Sequence, residues 1–470
     1  MQLTRTHKII AVVAMLLVAG GSAAWYGVAV SQSHAAVLIG FDADRAYADC
    51  SALCNIGPRT PGSPEDEEGA RYVEEKFREA GLSNVHTEQH ELTTFQVNSA
   101  SLSLITVQLR GNIRRDFAHI ADFVLYQYSG STSGTVRYEI VDVGNGTEEA
   151  FSGVDATGKA VLSTAQCLPL AAKKGATTVL VQNTRLAPEL DYPPYSGGLY
   201  GSDENGDSIP YPDANPDAVI PTCAVSGPVG DEIRGAINSS RSLPLVGSTV
   251  RIELNFDTTI AKNPIFNVIG DVKGTRYPGD YVYFVAHRDS TYIGPGAVDN
   301  TAGVATIMGM ARSLAHSAPQ RTLRFIATDA EETGLLGATE YCKAHESEVL
   351  KHGLICINFD MNDVNLDHVK TLGLQCSNFS VEMKQVRSDF VRRYPDIAAK
   401  YIINITKGGG GADGAPFMKR GTDGCLAMGE WGSSIEYHTQ YDTIEYANKE
   451  SWAVGGMLLG SLALNLAGPG

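Results

Sequence analysis

Three apolar runs in the second half of the chain decide the fold. They read YVYFVA at residues 281–286, TLRFIAT at 322–328 and LICINF at 354–359. Each run is short and rich in β-branched or aromatic residues, as buried strands are. Residues 304–314 and 335–343 lie between the runs and show helical spacing. Strands that alternate with helices predict an α/β fold, in which a mainly parallel sheet is covered on both faces.

Each run leads directly into side chains that can bind metal. These side chains are His287 and Asp289 after the first run, Glu331 and Glu332 after the second, and Asp360 after the third. In open α/β sheets, ligand sites form where the carboxyl ends of the strands meet. Asp299 precedes a predicted helix, and His438 lies in a loop after the strand-like residues 425–428. One such residue alone is usually structural, but this combination predicts a metal site.

The donor types indicate zinc, which imidazole and carboxylate groups bind with about three protein ligands per catalytic ion. Two zinc ions can therefore share five residues if one carboxylate bridges them. Asp299, between a strand and a helix, fits the bridging position. We assign His287 and Asp360 to one ion, and Glu332 and His438 to the other.

Two further acidic residues have predicted roles around these ions. Glu331 and Glu332 are adjacent and point in different directions, so one can bind metal while its neighbour acts as general base on the attacking water. Asp289 follows His287 by two positions, where it can orient that imidazole without touching the metal.

Composition describes an exported globular protein. The 470 residues carry a net charge of -16, which repels nucleic acid and anionic membranes, so neither is an expected partner. Residues 9–30 contain no charge and precede the small-x-small pattern at 33–35. Residues 1–35 are therefore expected to be a cleaved signal peptide or, as the alternative, an N-terminal membrane anchor. The apolar C-terminal residues 453–467 are interrupted by Gly and Ser, and they predict a packed helix.

The chain contains eight cysteines, an even number that suits an oxidising compartment. Cys167 and Cys223 lie in the same predicted domain and are the favoured disulfide pair. Cys356 falls within an apolar run, which predicts a buried thiol.

The sequence pattern between residues 134 and 245 differs from that of the flanking segments. Short strand-like runs alternate there with loops rich in Gly, Pro and Asp, and no metal-ligand cluster is visible. We therefore predict a smaller β-rich domain at 134–245, inserted into a catalytic domain formed by residues 36–133 and 246–470.

Five motifs resemble the zinc exopeptidases of the bacterial leucyl aminopeptidase, aminopeptidase Y and glutamate carboxypeptidase type. They are His287-Arg-Asp-Ser290, Gly296-Ala-Val-Asp-Asn300, Asp329-Ala-Glu-Glu-Thr-Gly334, Asn358-Phe-Asp-Met361 and Tyr437-His-Thr439. The resemblance implies a three-layer α/β/α sandwich with a mixed sheet, two zinc ions on the residues assigned above, and peptide substrates. It also implies Glu331 as the base and Tyr437 as a donor to the tetrahedral oxyanion. The insert resembles a protease-associated domain.

The resemblance leaves several functions open. An aminopeptidase is favoured; a carboxypeptidase or dipeptidase would need a cationic group for the substrate carboxylate, and glutaminyl cyclisation and a metal-free ectodomain are weaker alternatives. Ala412-Asp413-Gly414 stands where related enzymes often have Ser-Asp-His or Ser-Asp-Tyr. The missing ring leaves the side-chain preference undetermined, and the sequence does not indicate an oligomeric state.

Overall fold

The computed structural model describes residues 36–108, 111–242, 249–429 and 434–469. The predicted leader, residues 1–35, lies outside this range. Among the described residues, no helix combines the length and the apolar character needed to cross a bilayer. The strands are β1 (Ser83–Gln108), β2 (Gly111–Phe117), β3 (Phe123–Leu125), β4 (Val136–Asp142), β5 (Ala160–Ser163), β6 (Thr178–Gln182), β7 (Tyr200–Ser202), β8 (Ser208–Pro210), β9 (Thr222–Val225), β10 (Val250–Val272), β11 (Tyr277–His287), β12 (Arg321–Thr328), β13 (Gly353–Phe359), β14 (Thr371–Cys376), β15 (Ile402–Lys407) and β16 (Asp423–Gly429).

Among the described residues, β7 and β8 form a separate two-stranded sheet, and the other strands form one large sheet that the helices flank. They are α1 (Ala43–Ile56), α2 (Pro64–Glu79), α3 (Leu168–Lys173), α4 (Tyr211–Ala214), α5 (Gly227–Ser242), α6 (Ala302–Leu314), α7 (Leu336–Ala344), α8 (Glu346–His352), α9 (Ser380–Arg393), α10 (Pro395–Ala398), α11 (Gly414–Lys419) and α12 (Lys449–Ala467). Local sequence explains α2: the Ser63 side chain accepts from the Asp66 N–H, Pro64 occupies the first turn, and acidic residues begin the helix.

The long strands β1 and β10 connect two halves of one sheet. In the first half, β13, β11 and β12 are parallel neighbours, and β12 pairs with β10. In the second half, β4, β5, β6 and β9 are parallel neighbours, and β4 pairs with β10. Antiparallel pairs join the two parallel groups through β10, so the sheet is mixed, as predicted.

Successive side chains of β11 pack on opposite faces of the sheet, and helices cover both faces, so the first half has three layers. Val282, Phe284 and Ala286 pack on one face, in a core with helices α1, α2, α6, α9 and α12. Tyr283 and Val285 pack on the opposite face, with residues of α7, α8 and α11. Because both faces are covered, strands of this kind are apolar throughout. The predicted α/β/α sandwich is confirmed, and so is the packed C-terminal helix.

The second half has its own hydrophobic core. It is formed by strands β3 to β6 and β9 with helix α5, and it also includes residues of β1, β2 and β10. The core therefore draws on residues that lie before 134 and after 245. The bounds 134–245 for an inserted domain stay a prediction.

The favoured disulfide pair is wrong. Cys167 and Cys223 are both buried and free. They do not pair because Cys167 follows β5 and Cys223 lies on β9, and β6 lies between these two strands. The disulfide joins Cys376 and Cys425, which face each other on the antiparallel strands β14 and β16. Cys356 is a buried free thiol, as predicted.

Candidate metal centre

The ends of three parallel strands meet at one edge of the sheet. His287 is the last residue of β11, the Glu331–Glu332 pair follows β12, and Asp360 follows β13. Because β11 lies between β12 and β13 in the sheet, the three ends are neighbours. The sequence-based expectation of a shared strand edge is confirmed by this topology.

The predicted metal-binding residues form two clusters. Their ligand atoms lie within 4.8 Å of one another in each of two groups, His287 with Glu331 and Asp360, and Asp299 with Glu332 and His438. In the second group, His438 Nε2 is 2.8 Å from Glu332 Oε2. All predicted metal ligands are therefore close together, and Glu331 joins the first cluster beside His287.

Asp299 connects the two clusters through its two carboxylate oxygens. Oδ1 is 3.2 Å from His287 Nε2, and Oδ2 is 3.1 Å from His438 Nε2. The backbone N–H groups of Val298 and Asp299 both donate to the Asp442 carboxylate, at 2.7 and 3.0 Å. This geometry suits a carboxylate that bridges two ions, and Asp442 fixes the chain that presents it.

Backbone carbonyls fix the orientation of both histidines. His287 Nδ1 lies 3.2 Å from the carbonyl oxygen of Asp289, and His438 Nδ1 lies 2.7 Å from that of Ser196. A ring nitrogen next to a carbonyl oxygen must carry the proton. Nε2 of each neutral ring is then left to bind metal, as in many metal sites. Ser196 lies in the connection between β6 and β9, so a connecting segment of the second half helps to orient His438.

The Asp289 side chain mainly positions the two glutamates. Its oxygens accept from the backbone N–H groups of Glu331 and Glu332, at 3.0 and 3.2 Å, whereas Oδ1 is 3.5 Å from His287 Nδ1. The predicted contact with the imidazole is made at shorter range by the Asp289 carbonyl. The carboxylate instead holds the turn that follows β12.

Arg288 is not one of the clustered donors, and its side chain links the end of β11 to α2 and to the end of β12. Its side chain is fully buried and pairs with Asp66 of α2 and with Asp329 after β12. A buried guanidinium needs such partners, because the desolvated charge is otherwise costly. Arg288 therefore fixes β11 and β12 relative to α2 beneath the site.

Electrostatics indicate that the two clusters fit divalent cations. Burial raises the pKa values of Glu331, Glu332 and Asp360. Although burial opposes it, the carboxylate of Glu331 raises the pKa of His287 well above its usual value. Asp360 Oδ1 and Glu332 Oε1 are buried and have no hydrogen-bond partner among the described residues. Four carboxylates face two imidazoles in these clusters, so bound cations would compensate the excess negative charge.

Five of the six clustered donors line a cavity of about 800 Å³, and His287 is the exception. Glu331, Glu332, Asp360 and Tyr437 line it, together with Arg185 and Tyr200 from the connection between β6 and β9 of the second half. The Tyr437 ring stacks on His438 with centroids 3.8 Å apart. A volume of this size is typical of small-ligand sites, and the cavity lies where both halves meet.

Sequence reasoning missed several residues that shape this site. Asp442 and Ser196 hold the backbone of Asp299 and the ring of His438, and Asn300 joins α6 to β13 by donating to the Phe359 carbonyl at 2.7 Å. Asn300 directly follows Asp299, so its position in the motif was a usable signal. Asp442 and Ser196 act from distant positions in the chain, for which a single sequence offers no signal.

Comparison with known families matches residues 267–461 to peptidase family M28. Aminopeptidase YwaD of Bacillus subtilis (strain 168) is 35% identical over 205 residues, which cover 41% of this chain and 43% of the relative. Carboxypeptidase Q of Mus musculus is 27% identical over 329 residues, covering 66% of this chain and 64% of the relative. The chain thus spans less than two thirds of the length of either relative.

Solved structures share the fold across nearly the whole chain. The zinc aminopeptidase BSAP from Bacillus subtilis superposes with a TM-score of 0.69 at 23% identity, over 91% of this chain and 96% of that one. A peptidase M28 precursor from Shewanella amazonensis SB2B gives a TM-score of 0.70 at 21% identity, over 90% and 93%. All six clustered donors fall inside the matched segment. Over residues 267–461, this chain therefore matches the model of peptidase family M28.

Proposed function

We propose that this protein is a two-zinc exopeptidase that removes single residues from the N-termini of peptides. The observation that carries the proposal is the pair of donor clusters joined by Asp299, at the base of a cavity that can hold a short peptide. The resemblance to an aminopeptidase at 35% identity supports this polarity.

The zinc ligands in this proposal are His287 and Asp360 at one ion, Glu332 and His438 at the other, and Asp299 at both. Bound zinc supplies Lewis acidity, which polarises a carbonyl group and makes water a better nucleophile at neutral pH. The protein supplies orientation, because carbonyl oxygens hold both imidazoles and Asp442 holds the backbone of Asp299.

Glu331 is the proposed general base. It lines the cavity, and its backbone N–H is fixed by Asp289. Glu331 takes a proton from the attacking water as the water oxygen bonds to the scissile carbonyl carbon. It then returns that proton to the leaving nitrogen as the C–N bond breaks.

Tyr437 is the proposed donor to the oxyanion that develops on the carbonyl oxygen. Burial and the nearby carboxylates outweigh the opposing effect of His438 and raise the pKa of Tyr437, so the phenol keeps its proton. Its stacking on His438 holds the ring beside the metal-binding residues.

The proposed polarity requires a substrate with a free α-amine. Bound zinc would compensate the charge of the clustered carboxylates, but Glu332 lines the cavity and a carboxylate oxygen can still accept a hydrogen bond from an ammonium group. An amine bound near the ion that Glu332 and His438 would hold would place the first peptide bond next to Glu331. This arrangement would restrict cleavage to the N-terminal residue.

A carboxypeptidase or dipeptidase is the second candidate, because carboxypeptidase Q matches a larger part of the chain than YwaD does. The structure also supplies a cation, Arg185, in the cavity wall. Peptides with free or acetylated N-termini and free or amidated C-termini separate the candidates when products are identified by mass spectrometry. Zinc-dependent loss of the N-terminal residue, blocked only by acetylation, is expected. Shortening from the C-terminus, blocked by amidation, would refute the proposed polarity.

Two wider features belong to the same proposal. The second half of the sheet would act as a protease-associated type of domain that shapes access to the site. The sequence pattern of residues 1–35 supports export, which would bring the enzyme to extracellular or periplasmic peptides. Peptides are the proposed partners in either case, and nucleic acids are not.

A further inference from the structure

One loop of the second half of the sheet reaches the cavity and is held rigidly. The buried Asn183 follows β6, and its side-chain oxygen accepts from the backbone N–H groups of Arg185 and Leu186, at 3.1 and 3.0 Å. Its amide nitrogen donates to the carbonyls of Leu186 and Pro193, at 2.9 and 2.7 Å. These four bonds fold residues 183–193 over one buried side chain, so the loop presents its outer residues from a fixed backbone.

Arg185 is the distinctive residue of this loop. It is the only Arg or Lys among the described residues that line the cavity. Its side chain is exposed, and none of the ion pairs between described residues involves it. Most other arginines in the described chain pair with a carboxylate, as Arg234 does with Asp142. Arg185 is therefore a cation without an ion-pair partner in the cavity lining, to which Glu189 of the same loop also contributes.

The charge distribution defines which substrate group Arg185 can bind. Bound zinc would compensate the charge of the clustered carboxylates, so Arg185 is the cationic side chain of the described cavity lining that can attract a substrate carboxylate. The guanidinium on the wall presents paired N–H donors that match a carboxylate in two parallel hydrogen bonds. A peptide whose amine lies at the base would thus have its carboxylate attracted to the wall.

We propose that Arg185 is a specificity-determining residue that binds a carboxylate of the peptide substrate beyond the scissile bond. The inference rests on the proposed aminopeptidase function and deepens it. The carboxylate is either the C-terminus of a short peptide or an acidic side chain after the first residue. Short or acidic peptides are then the preferred substrates of this enzyme.

The test compares R185A with wild type on matched tripeptides that start with the same residue. One peptide has a free C-terminus, one is its neutral amide, and one is an amide with Asp at the second position. Wild-type protein should prefer a carboxylate-bearing peptide, and R185A should lower kcat/KM for that peptide by about tenfold, mainly through KM. Cleavage of the neutral amide should stay unchanged. The peptide that loses its advantage identifies the source of the carboxylate.

Two further variants separate recognition from general electrostatics. R185K keeps the charge but loses the paired donors, so it should recover part of the preference. K384A removes one exposed charge from α9, away from the cavity lining, and should leave the preference intact. Equal loss of activity on all three peptides in R185A, or an unchanged preference for carboxylates, would overturn the inference.

Failure of the proposed function gives a different result. If wild-type protein shortens these peptides from the C-terminus, or cleaves none of them with zinc bound, the aminopeptidase assignment fails before any variant is compared. If wild type releases N-terminal residues but R185A keeps the carboxylate preference, only the role of Arg185 is refuted.

Discussion

The two halves of the sheet use the same parallel architecture but end their strands in different chemistry. In the first half, β11, β12 and β13 lead to His287, the Glu331–Glu332 pair and Asp360, which converge. In the second half, β4 ends at Asp142, whose carboxylate accepts a hydrogen bond from Arg234. Strand β6 leads to Asn183, whose side chain bonds to the backbone of its own loop. A strand edge therefore provides a place for a site, and convergence of donors decides whether chemistry follows.

The two halves also contribute to the cavity in different ways. The first half supplies all the clustered imidazoles and carboxylates. The second half supplies a backbone carbonyl, that of Ser196, and a wall that contains Arg185. In the proposed function, reaction chemistry and substrate access therefore belong to different halves of the sheet.

The largest expected effect follows from paired substitutions at the two strand edges. E331Q should lower kcat by about 10²–10⁴-fold, because the amide cannot accept a proton from water, while the bound zinc and the melting temperature stay close to those of wild type. D142N, at the end of β4, should leave kcat unchanged. Kinetics and metal analysis of both variants check the comparison, and near-normal turnover by E331Q would remove Glu331 from its role.

A smaller effect is expected at Asp442, which acts only through the backbone of Asp299. D442A leaves two buried N–H groups without their acceptor and should weaken zinc affinity or kcat/KM by about 10–100-fold. D442N keeps one acceptor oxygen and should be intermediate. Zinc titration with a competing chelator measures the order, and equal affinity in all three proteins would show that Asp442 does not position Asp299.

The smallest effect concerns a buried carboxylate of the first half that takes no part in the clusters. Burial raises the pKa of Asp363 to about 6, although Asn448 N–H and the Trp452 indole donate to it. The folded protein therefore holds a proton that the unfolded chain releases near its lower pKa. This group's contribution to stability is greatest below about pH 4 and falls as pH rises through about 6.

D363N should remove this pH dependence, because an amide oxygen can accept both hydrogen bonds without titrating. The free energy of unfolding of D363N, relative to wild type, should rise by roughly 2–3 kcal/mol between pH 4 and pH 7. Urea unfolding at several pH values measures the difference. A constant difference across this range would mean that Asp363 titrates normally in the folded protein.

The parts of the site that depend on local pattern could be predicted from the sequence. Apolar runs identify β11, β12 and β13, and residues at their ends share an edge because the strands are parallel neighbours. Contacts between distant segments could not be predicted. Asp442 reaches Val298 across 144 positions, and Ser196 reaches His438 across 242. The incorrect disulfide prediction has the same cause, since no local feature of Cys167 shows that β6 separates it from Cys223.

The proposed mechanism requires that the two clusters joined by Asp299 hold two ions. The most direct test is the zinc content of the purified, zinc-reconstituted protein after removal of loosely bound metal, measured by mass spectrometry of the metal. We expect two zinc ions per chain. A single ion per chain in fully active enzyme would refute the two-ion site, because one of the two clusters would then have no role in catalysis.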